Sequence, residues 1–252
     1  MQVVYNDLYL QVYSSDPAAE SGRIESIVKE LKGKYRFVKP EQAVESDLRR
    51  VHTQFHIESI KKEPRLYMIA CLVAGGAIKA AQLAMEGEPS FGLIRPPGHH
   101  ASRDHCWGFC FFNNIAIALA KLQDEGKIKR ALILDFDLHF GDGTSSYFTD
   151  TETRYFQHGA SSRESFISEI SEVSKQEKNY DILAVSAGFD RHIDDWGGKL
   201  HTDDYRLIGR LIKEAAESNC RGRIFSVLEG GYNHNVLGQN VQAFLEGQID
   251  AG

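Results

Sequence analysis

The chemistry-bearing part of this sequence is the stretch 135–143, which reads DFDLHFGDG. It directly follows ALIL at 131–134, an apolar run typical of a buried strand. In an extended segment, alternate residues point to the same side, so Asp135, Asp137 and His139 share one face. An apolar strand that ends by presenting two carboxylates and an imidazole on one side predicts a metal site.

Polar side chains follow three further apolar stretches of strand character. These are 91–94 before His99 and His100, 182–186 before Asp190, and 224–228 before Tyr232. Each feature alone is a common loop or helix-cap motif. In open α/β sheets, however, ligand sites form outside the carboxyl ends of the strands. Four polar clusters at the same end of predicted strands therefore indicate one shared site.

Helical and strand-like segments alternate along the chain, as a mostly parallel sheet requires. Apolar residues recur at helical spacing, for example at Ile24, Ile27 and Leu31. The chain has 252 residues, of which 42% are hydrophobic and 25% charged, so it is long enough to bury a sizeable core. We predict one α/β domain, residues 1–252, with a mostly parallel central sheet and helices on both faces.

The candidate ligands are two oxygens, from Asp137 and Asp190, and one nitrogen, from His139. This set suits zinc with a fourth position left open for water or substrate, the arrangement of a catalytic site. Ferrous iron or cobalt would also fit. The sequence contains no G-x-S-x-G, H-E-x-x-H or C-x-x-C motif, which argues against serine hydrolases, zincin proteases and zinc ribbons.

Five motifs occur in an order that resembles the zinc-dependent histone deacetylase superfamily, which includes acetylpolyamine amidohydrolases and acetoin-utilisation-type proteins. They are RPPGHHA (95–101), GFCFFNN (108–114), DFDLHFGDG (135–143), SAGFD (186–190) and LEGGY (228–232). Weaker similarity starts near residue 23, so the resemblance covers nearly the whole chain. It implies an arginase/deacetylase-like fold and hydrolysis of an acyl amide by metal-activated water. Arginase-like enzymes need extra aspartates for two manganese ions, whereas Leu138 and Phe140 alternate with the ligands here and favour one metal.

The resemblance also implies a role for each matching residue. Asp137, His139 and Asp190 match the zinc ligands, His99 and His100 match the tandem histidines, and Asp135 and Asp142 match the carboxylates that orient those histidines. Tyr232 matches the phenol that stabilises the oxyanion, while Gly108 and Phe109 match the channel wall. We expect His100 to act as the base that later protonates the leaving amine, with His99 tuning the charge nearby.

Two segments that form the rim of the site in relatives are short in this chain. Only five residues separate Ile60 from Leu66, and the segment between His158 and Asp181 is also shorter than usual. The second of these segments normally supplies another aromatic wall of the channel. The resemblance therefore implies a shallow, open pocket.

Two single positions also depart from the family's pattern. Trp196-Gly197 stands where relatives often have Pro-Leu. Phe156 stands where many relatives have a serine that helps to bind a structural potassium ion, which argues against potassium in this chain.

Two classes of function remain. The first is a zinc amidohydrolase that removes acetyl or a related acyl group from a lysine-like, peptide or polyamine amine. The alternative is a non-catalytic member that binds acylated ligands or partners through a retained pocket. Tyr232 favours catalysis, because a mere binder needs no phenol beside an oxyanion.

Charge and hydropathy bear on partners and location. The formal net charge of −6 and a pI of about 5.9 argue against direct binding of nucleic acid or an anionic membrane. The first residues lack a basic segment, and no stretch stands out as long and apolar enough to span a bilayer. We therefore expect a cytoplasmic protein, and four cysteines without a pattern fit a reducing compartment. The sequence leaves the oligomeric state open.

Overall fold

The computed structural model describes residues 1–157, 159 and 162–249. Seven strands form one sheet in the order β2-β1-β3-β7-β6-β4-β5, and every pairing is parallel. The strands are β1 (Gln2–Val4), β2 (Arg36–Val38), β3 (Ser90–Gly92), β4 (Ala131–Asp135), β5 (Arg154–Gln157), β6 (Ile182–Ala187) and β7 (Ile224–Leu228). The predicted parallel sheet is confirmed.

Helices cover both faces of this sheet, as predicted. They are α1 (Arg23–Leu31), α2 (Glu45–Leu48), α3 (Gln54–Lys61), α4 (Pro64–Met85), α5 (Asn114–Asp124), α6 (Asp142–Phe148), α7 (Arg163–Gln176), α8 (Thr202–Cys220) and α9 (His234–Ile249). The apolar sides of α4 and α5 pack on one face, and those of α1, α7, α8 and α9 pack on the other. The described chain is therefore a three-layer α/β domain.

Strand β4 shows why the strand sequences are apolar at consecutive positions. Ala131 and Ile133 belong to the cluster under α4 and α5, whereas Leu132 and Leu134 belong to the cluster on the opposite face. Successive side chains of a strand point to opposite faces, and both faces are covered by helices. The whole strand is therefore buried, and polar side chains are confined to its ends.

One expectation about hydropathy is wrong. Helix α4, Pro64–Met85, is by length and composition able to cross a membrane, the one such helix among the described residues. Its apolar residues are used in the core instead, since 78% of the apolar stretch is buried in the domain. Its neighbours are α5 and strands β3 and β7. Core helices of large α/β domains pass the same length test, so the finding is weak evidence for a membrane span.

The two segments predicted to be short contain only short connections between helices and strands in the described part of the chain. Helix α3 ends at Lys61 and α4 begins at Pro64, so two residues connect them. Five residues separate β5 from α7, and Gly159 and Ser162 are the described ones. His158, the start of the second short segment, lies outside the described residues.

A buried histidine holds the start of α5 in place. The backbone N–H of Asn113 donates to His52 Nε2 at 2.9 Å, and His52 Nδ1 lies 2.8 Å from the Ser102 carbonyl oxygen. Both contacts are satisfied only when the ring is neutral and Nδ1 carries the proton. Burial, together with the nearby His56, lowers the pKa of His52 to about 3. Folding therefore disfavours the protonated ring.

This pKa shift predicts an acid-sensitive contribution to stability. Below the ordinary pKa of about 6.5 the unfolded chain protonates His52 while the folded chain does not, so stability falls as the pH falls from 6.5 towards 3. The slope is at most about 1.4 kcal/mol per pH unit. In urea unfolding between pH 7.5 and 5, the free energy of unfolding of His52→Gln should decline less steeply than that of the wild type.

The control is His105→Gln, which removes an exposed imidazole. Its slope should match that of the wild type. Identical slopes for wild type and His52→Gln would show that the buried ring does not govern the acid response.

Candidate active site

The four central strands of the sheet deliver the predicted site residues to one edge. Strands β3, β7, β6 and β4 are consecutive neighbours, and all point the same way. The segments that leave their carboxyl ends carry the tandem histidines, Tyr232, Asp190 and the pair Asp137 and His139, in that order across the sheet. Residues far apart in sequence are therefore adjacent in space, as the strand-end pattern predicts.

Three potential metal ligands converge at this edge. His139 Nδ1 lies 3.2 Å from Asp137 Oδ1 and 3.1 Å from Asp190 Oδ2. Bonds of about 2 Å in tetrahedral geometry separate neighbouring ligand atoms by roughly 3.3 Å. The spacing of one nitrogen and two carboxylate oxygens therefore fits a single zinc-sized ion.

The two carboxylates are otherwise held by backbone N–H groups. Asp137 Oδ2 accepts from Gly230 N at 2.7 Å, and Asp190 Oδ1 accepts from Leu138 N at 3.0 Å. Asp190 Oδ2 has no hydrogen-bond partner, since the approach of His139 is close but lacks hydrogen-bond geometry. A buried carboxylate oxygen without a donor is costly unless a cation lies against it. This orphaned oxygen supports the fit of a metal ion.

The protonation of the metal-free ligands follows from their burial. Burial, reinforced by the charge of Asp137, raises the pKa of Asp190 to about 6. A hydrogen bond to Asp137 and the close carboxylate of Asp190 raise the pKa of His139 to about 10. In the metal-free chain a proton on His139 thus compensates the two carboxylates, and a bound cation would replace it.

Two glycines let the backbone approach the ligands closely. A Cβ at Gly188 would lie 2.1 Å from Asp137 Oδ2, and one at Gly230 would lie 2.5 Å from the same oxygen. Any other residue at either position would displace the carboxylate. Gly188 of SAGFD and Gly230, the first glycine of LEGGY, are therefore explained by contact with Asp137.

A second group of potential ligands lies buried nearby and consists of His99, Cys110 and Glu229. Glu229 Oε2 accepts from the backbone N–H groups of Gly98 and His99, whereas Glu229 Oε1 has no hydrogen-bond partner. Burial also raises the pKa of the Cys110 thiol well above its ordinary value. Metals bind the thiolate, so this group is the weaker candidate.

Each tandem histidine pairs with the predicted carboxylate. His99 Nδ1 lies 3.1 Å from Asp135 Oδ2, and His100 Nδ1 lies 2.7 Å from Asp142 Oδ1. The two imidazole rings lie side by side, with centroids 4.1 Å apart. Each carboxylate fixes one ring nitrogen and leaves the other, Nε2, for a different partner.

The two imidazoles differ in charge because their surroundings differ. Burial opposes a charge on His99, but the carboxylates of Asp137 and Asp135 outweigh it and raise the pKa of His99 well above its ordinary value. Burial and the charge of His99 lower the pKa of His100 to about 4. Neighbouring groups with pKa values pushed apart are suited to different roles.

Tyr232 is fixed from three sides. Asp195 Oδ2 accepts from the backbone N–H groups of Tyr232 and Asn233, both at 2.8 Å. The Trp196 ring stacks on the Tyr232 ring at 3.9 Å, and the Arg23 guanidinium lies 5.5 Å from the centroid of the phenol ring. Burial raises the pKa of Tyr232 well above its ordinary value, so the hydroxyl keeps its proton. Tyr232 is a hydrogen-bond donor at neutral pH.

A cavity of about 160 Å³ joins these groups. Its lining in the described chain is Asp16, Pro17, Pro97, His99, His100, Trp107, Gly108, His139, Trp196, Gly230 and Tyr232. Gly108 is at the wall, as predicted. Phe109 is instead buried against Ala18, Ala19 and Tyr13 and does not line this cavity.

Sequence reasoning missed the two tryptophans at the mouth. Trp107 is 48% exposed, packs against His100 with ring centroids 3.8 Å apart, and donates its indole N–H to Asp142 Oδ2 at 2.9 Å. Trp196 is 56% exposed. The available signal was position: the chain has two tryptophans, of which Trp107 directly precedes Gly108 and Trp196 follows six residues after Asp190.

Glu229 was missed for another reason. It lies inside the motif LEGGY, yet its carboxylate accepts from the backbone of the histidine segment, at 2.8 Å from Gly98 N and 3.2 Å from His99 N. It is buried, and burial raises its pKa to about 7. Glu229 thus connects the end of β7 to the tandem histidines, a contact that local spacing does not reveal.

The sequence model of the histone deacetylase domain matches residues 18–158 and 156–248. The chain is 31% identical to a probable deacetylase of Methanothermobacter thermautotrophicus. The alignment of 283 residues covers 90% of this chain and 84% of the relative. The chain is 29% identical to a histone deacetylase-like amidohydrolase of Pseudomonas aeruginosa, over 76% of this chain and 64% of the relative. This chain belongs to the histone deacetylase domain family, as its five motifs predict.

The fold is shared as well. The crystal structure of the HDA15 HD domain superposes with a TM-score of 0.85 at 22% identity and covers 99% of this chain and 90% of that one. The 283-residue alignment exceeds the 252 residues of this chain, so the archaeal relative carries insertions. The two matches of the family model overlap at residues 156–158, at the start of the segment between His158 and Asp181 that is predicted to be short.

The first prediction from this site concerns metal content. Purified protein should contain about one divalent metal ion per chain, and Asp190→Asn should lose most of it because an amide does not supply the second anionic ligand. Elemental analysis of dialysed protein measures this, and thermal unfolding confirms that the variant is folded.

Cys110→Ser is the matched control, because it removes a ligand of the second group only and should keep the metal. Two ions in the wild type and one in Cys110→Ser would assign an ion to the second group. Unchanged metal in Asp190→Asn would remove Asp190 from the ligand set.

Proposed function

We propose that this chain is a zinc-dependent amidohydrolase that removes acetyl or a related short acyl group from lysine-like or polyamine amines. The observation that carries the proposal is one cavity lined by His99, His100, His139 and Tyr232. Asp137 and Asp190 lie beside His139, and an aspartate pairs with each tandem histidine. The family match supports the same class of reaction.

The metal would be held by Asp137, His139 and Asp190. Zinc suits this donor set, and ferrous iron or cobalt would also fit. When bound, the ion would polarise the amide carbonyl and lower the pKa of water. The remaining steps belong to the side chains of the chain itself.

His100 acts as the general base and then as the general acid. Its Nδ1 is bound to Asp142, so Nε2 faces the cavity beside Gly108. This nitrogen takes a proton from the attacking water as the new C–O bond forms. It returns that proton to the amine nitrogen as the C–N bond breaks, which releases a carboxylate and a free amine.

His99 remains charged and stabilises negative charge that develops nearby. Its Nδ1 is held by Asp135, and its Nε2 lies 3.9 Å from Asp137 Oδ1. A fixed positive charge on one imidazole also makes the other easier to keep neutral. The two histidines therefore divide the work of charge stabilisation and proton transfer.

The Tyr232 hydroxyl donates a hydrogen bond to the former carbonyl oxygen in the transition state. Asp195 and Trp196 fix its backbone and ring before the substrate arrives. A donor that is already oriented stabilises developing charge without further reorganisation.

The channel wall and the mouth would bind the acylated amine. We assign the Gly108 carbonyl as acceptor of the substrate amide N–H. Trp107 and Trp196 present aromatic surfaces at the mouth, which suits the alkyl stem of lysine or a polyamine. Phe109 does not contact the substrate directly in this proposal. It belongs to the apolar cluster on which Tyr232 packs, and so it supports the Tyr232 ring.

The second prediction tests the role of Tyr232. Tyr232→Phe removes one hydroxyl and keeps the ring that stacks on Trp196. Loss of a donor used only in the transition state should lower kcat and kcat/KM together by about 100- to 1000-fold, with KM nearly unchanged. Steady-state kinetics on acetyl-lysine peptides of the zinc-loaded enzyme measure both constants.

The matched control is Tyr180→Phe. The Tyr180 hydroxyl is also buried and donates to the Ala215 carbonyl, before the start of β6 and away from the site. Its removal should leave kcat unchanged. Full activity of Tyr232→Phe would rule out the oxyanion role, and tight ligand binding without any turnover by the wild type would favour the non-catalytic alternative.

The third prediction follows from the short rim. With two residues between α3 and α4, little surface surrounds the mouth to contact groups beyond the acylated amine. Free acetyl-lysine, acetylated polyamines and acetyl-lysine peptides should therefore have kcat/KM values within about tenfold of one another, because remote binding energy is small. Kinetics at a protein concentration of known oligomeric state test this.

A preference above about a hundredfold, roughly 2.7 kcal/mol, for one peptide context by a monomer would contradict the open-rim interpretation. The same preference confined to an oligomer would mean that a neighbouring subunit completes the rim.

A further inference from the structure

Side chains from two other elements hold the loop that carries Asp137 and His139. This loop, residues 136–141, connects β4 to α6. One of the holding residues is Gln157, at the end of the edge strand β5, and the other is Arg191, which directly follows Asp190. Neither belongs to the five motifs that identify the family.

The Gln157 carboxamide makes its hydrogen bonds to this region. Its Nε2 donates to the carbonyl oxygens of Asp137, at 3.1 Å, and His139. Its Oε1 accepts from Gly141 N at 2.7 Å and from the Tyr155 hydroxyl at 2.8 Å. An amide offers two donors and two lone pairs. Both donors and one lone pair are occupied, and the second lone pair shares the single Tyr155 proton with Asp135 Oδ2.

The Arg191 guanidinium also donates hydrogen bonds to this loop. Arg191 lies in the segment that follows β6, the strand paired with β4. Its Nε donates to the Phe136 carbonyl at 3.0 Å, and Nη2 donates to the Asp137 carbonyl at 2.9 Å. Arg191 is 3% exposed, and its Cζ lies 4.7 Å from the centroid of the Phe166 ring. A permanent positive charge is therefore buried against the loop that bears the candidate ligands.

The same network reaches the tandem histidines. The Tyr155 hydroxyl contacts both Gln157 and Asp135 Oδ2, and Asp135 in turn pairs with His99. A change at Gln157 is thus expected to affect both the metal ligands and the orientation of His99.

The carbonyl oxygens of this loop do not fit an alkali-metal ion. Potassium would require several oxygens that point at it, but those of Phe136, Asp137 and His139 face N–H donors, and Asp137 O accepts from both Gln157 and Arg191. Phe156, beside Gln157 on β5, contributes no side-chain oxygen. Side-chain donors, rather than a cation, therefore meet these carbonyl oxygens.

We propose that Gln157 and Arg191 are positioning residues that replace a structural alkali-metal ion, so that this enzyme binds its catalytic metal and acts without potassium. The amide supplies fixed donors to the carbonyls, and the guanidinium supplies the fixed positive charge. The inference rests on the proposed ligand role of Asp137 and His139.

The first test compares wild-type protein in potassium, sodium and tetramethylammonium chloride at one ionic strength. Tm and the dissociation constant for Zn²⁺, measured by competition with a chromogenic chelator, should agree in all three salts, as should kcat. A potassium-specific rise in Tm or in Zn²⁺ affinity would overturn the proposal. Because the first two readouts need no substrate, they remain decisive if the proposed reaction is not observed.

The second test uses variants that change one interaction each. Gln157→Glu keeps the size of the side chain but loses the donors to the two carbonyls. It should weaken Zn²⁺ binding by about 10- to 100-fold, the usual effect of removing a group that orients a metal ligand. Its kcat should fall while KM stays similar. Gln123→Glu is the matched control, since Gln123 also donates to a backbone carbonyl, that of Lys129, but away from the site.

Arg191→Met and Arg191→Lys separate charge from geometry. Lysine keeps the charge and should retain more Zn²⁺ affinity than methionine, which lacks both charge and donors. If Arg191→Met does not fold, Arg191→Lys and Gln157→Glu still decide the matter. Wild-type Zn²⁺ affinity in both of these variants would show that the loop is held by other means.

Discussion

The structure depends on placing the carboxylates of Asp137 and Asp190 side by side in the interior. Removing each charge from water costs several kcal/mol, and their mutual repulsion adds to that cost. Backbone N–H groups of Leu138 and Gly230 offset part of it, and the imidazole of His139 offsets more. One oxygen of Asp190 is left without a donor. The two carboxylates thus favour a cation between them, and the donors of the protein compensate only part of their negative charge.

A parallel sheet provides this arrangement because all its strands end at one edge. The four central strands are covered by helices on both faces, so charged side chains are excluded from their length and collect where they end. The ligands Asp137, His139 and Asp190 therefore follow directly after the ends of β4 and β6. This explains how the chain can lack long rim segments around residues 62–63 and still keep the complete set of candidate catalytic groups.

The environment of each residue, rather than its type, distinguishes otherwise similar groups. His99 and His100 are adjacent and both pair with an aspartate, yet the buried carboxylates around His99 hold it charged while burial keeps His100 neutral. Tyr232 is one of ten tyrosines, but only the contacts with Asp195 and Trp196 turn it into an oriented donor at the cavity. Burial and neighbours thus assign the chemistry.

The sequence by itself determined which side chains stand at strand ends and which of them share a face, because strand periodicity is local and the apolar runs are unambiguous. It therefore predicted the sheet class and the grouping of Asp137, His139 and Asp190. Strand order, the burial of Phe109, the use of apolar α4 as a core helix and the contacts of Gln157 and Arg191 were decided only by the tertiary structure. These features depend on which distant segments pack together, and residue spacing along one segment carries no information about its neighbours in space.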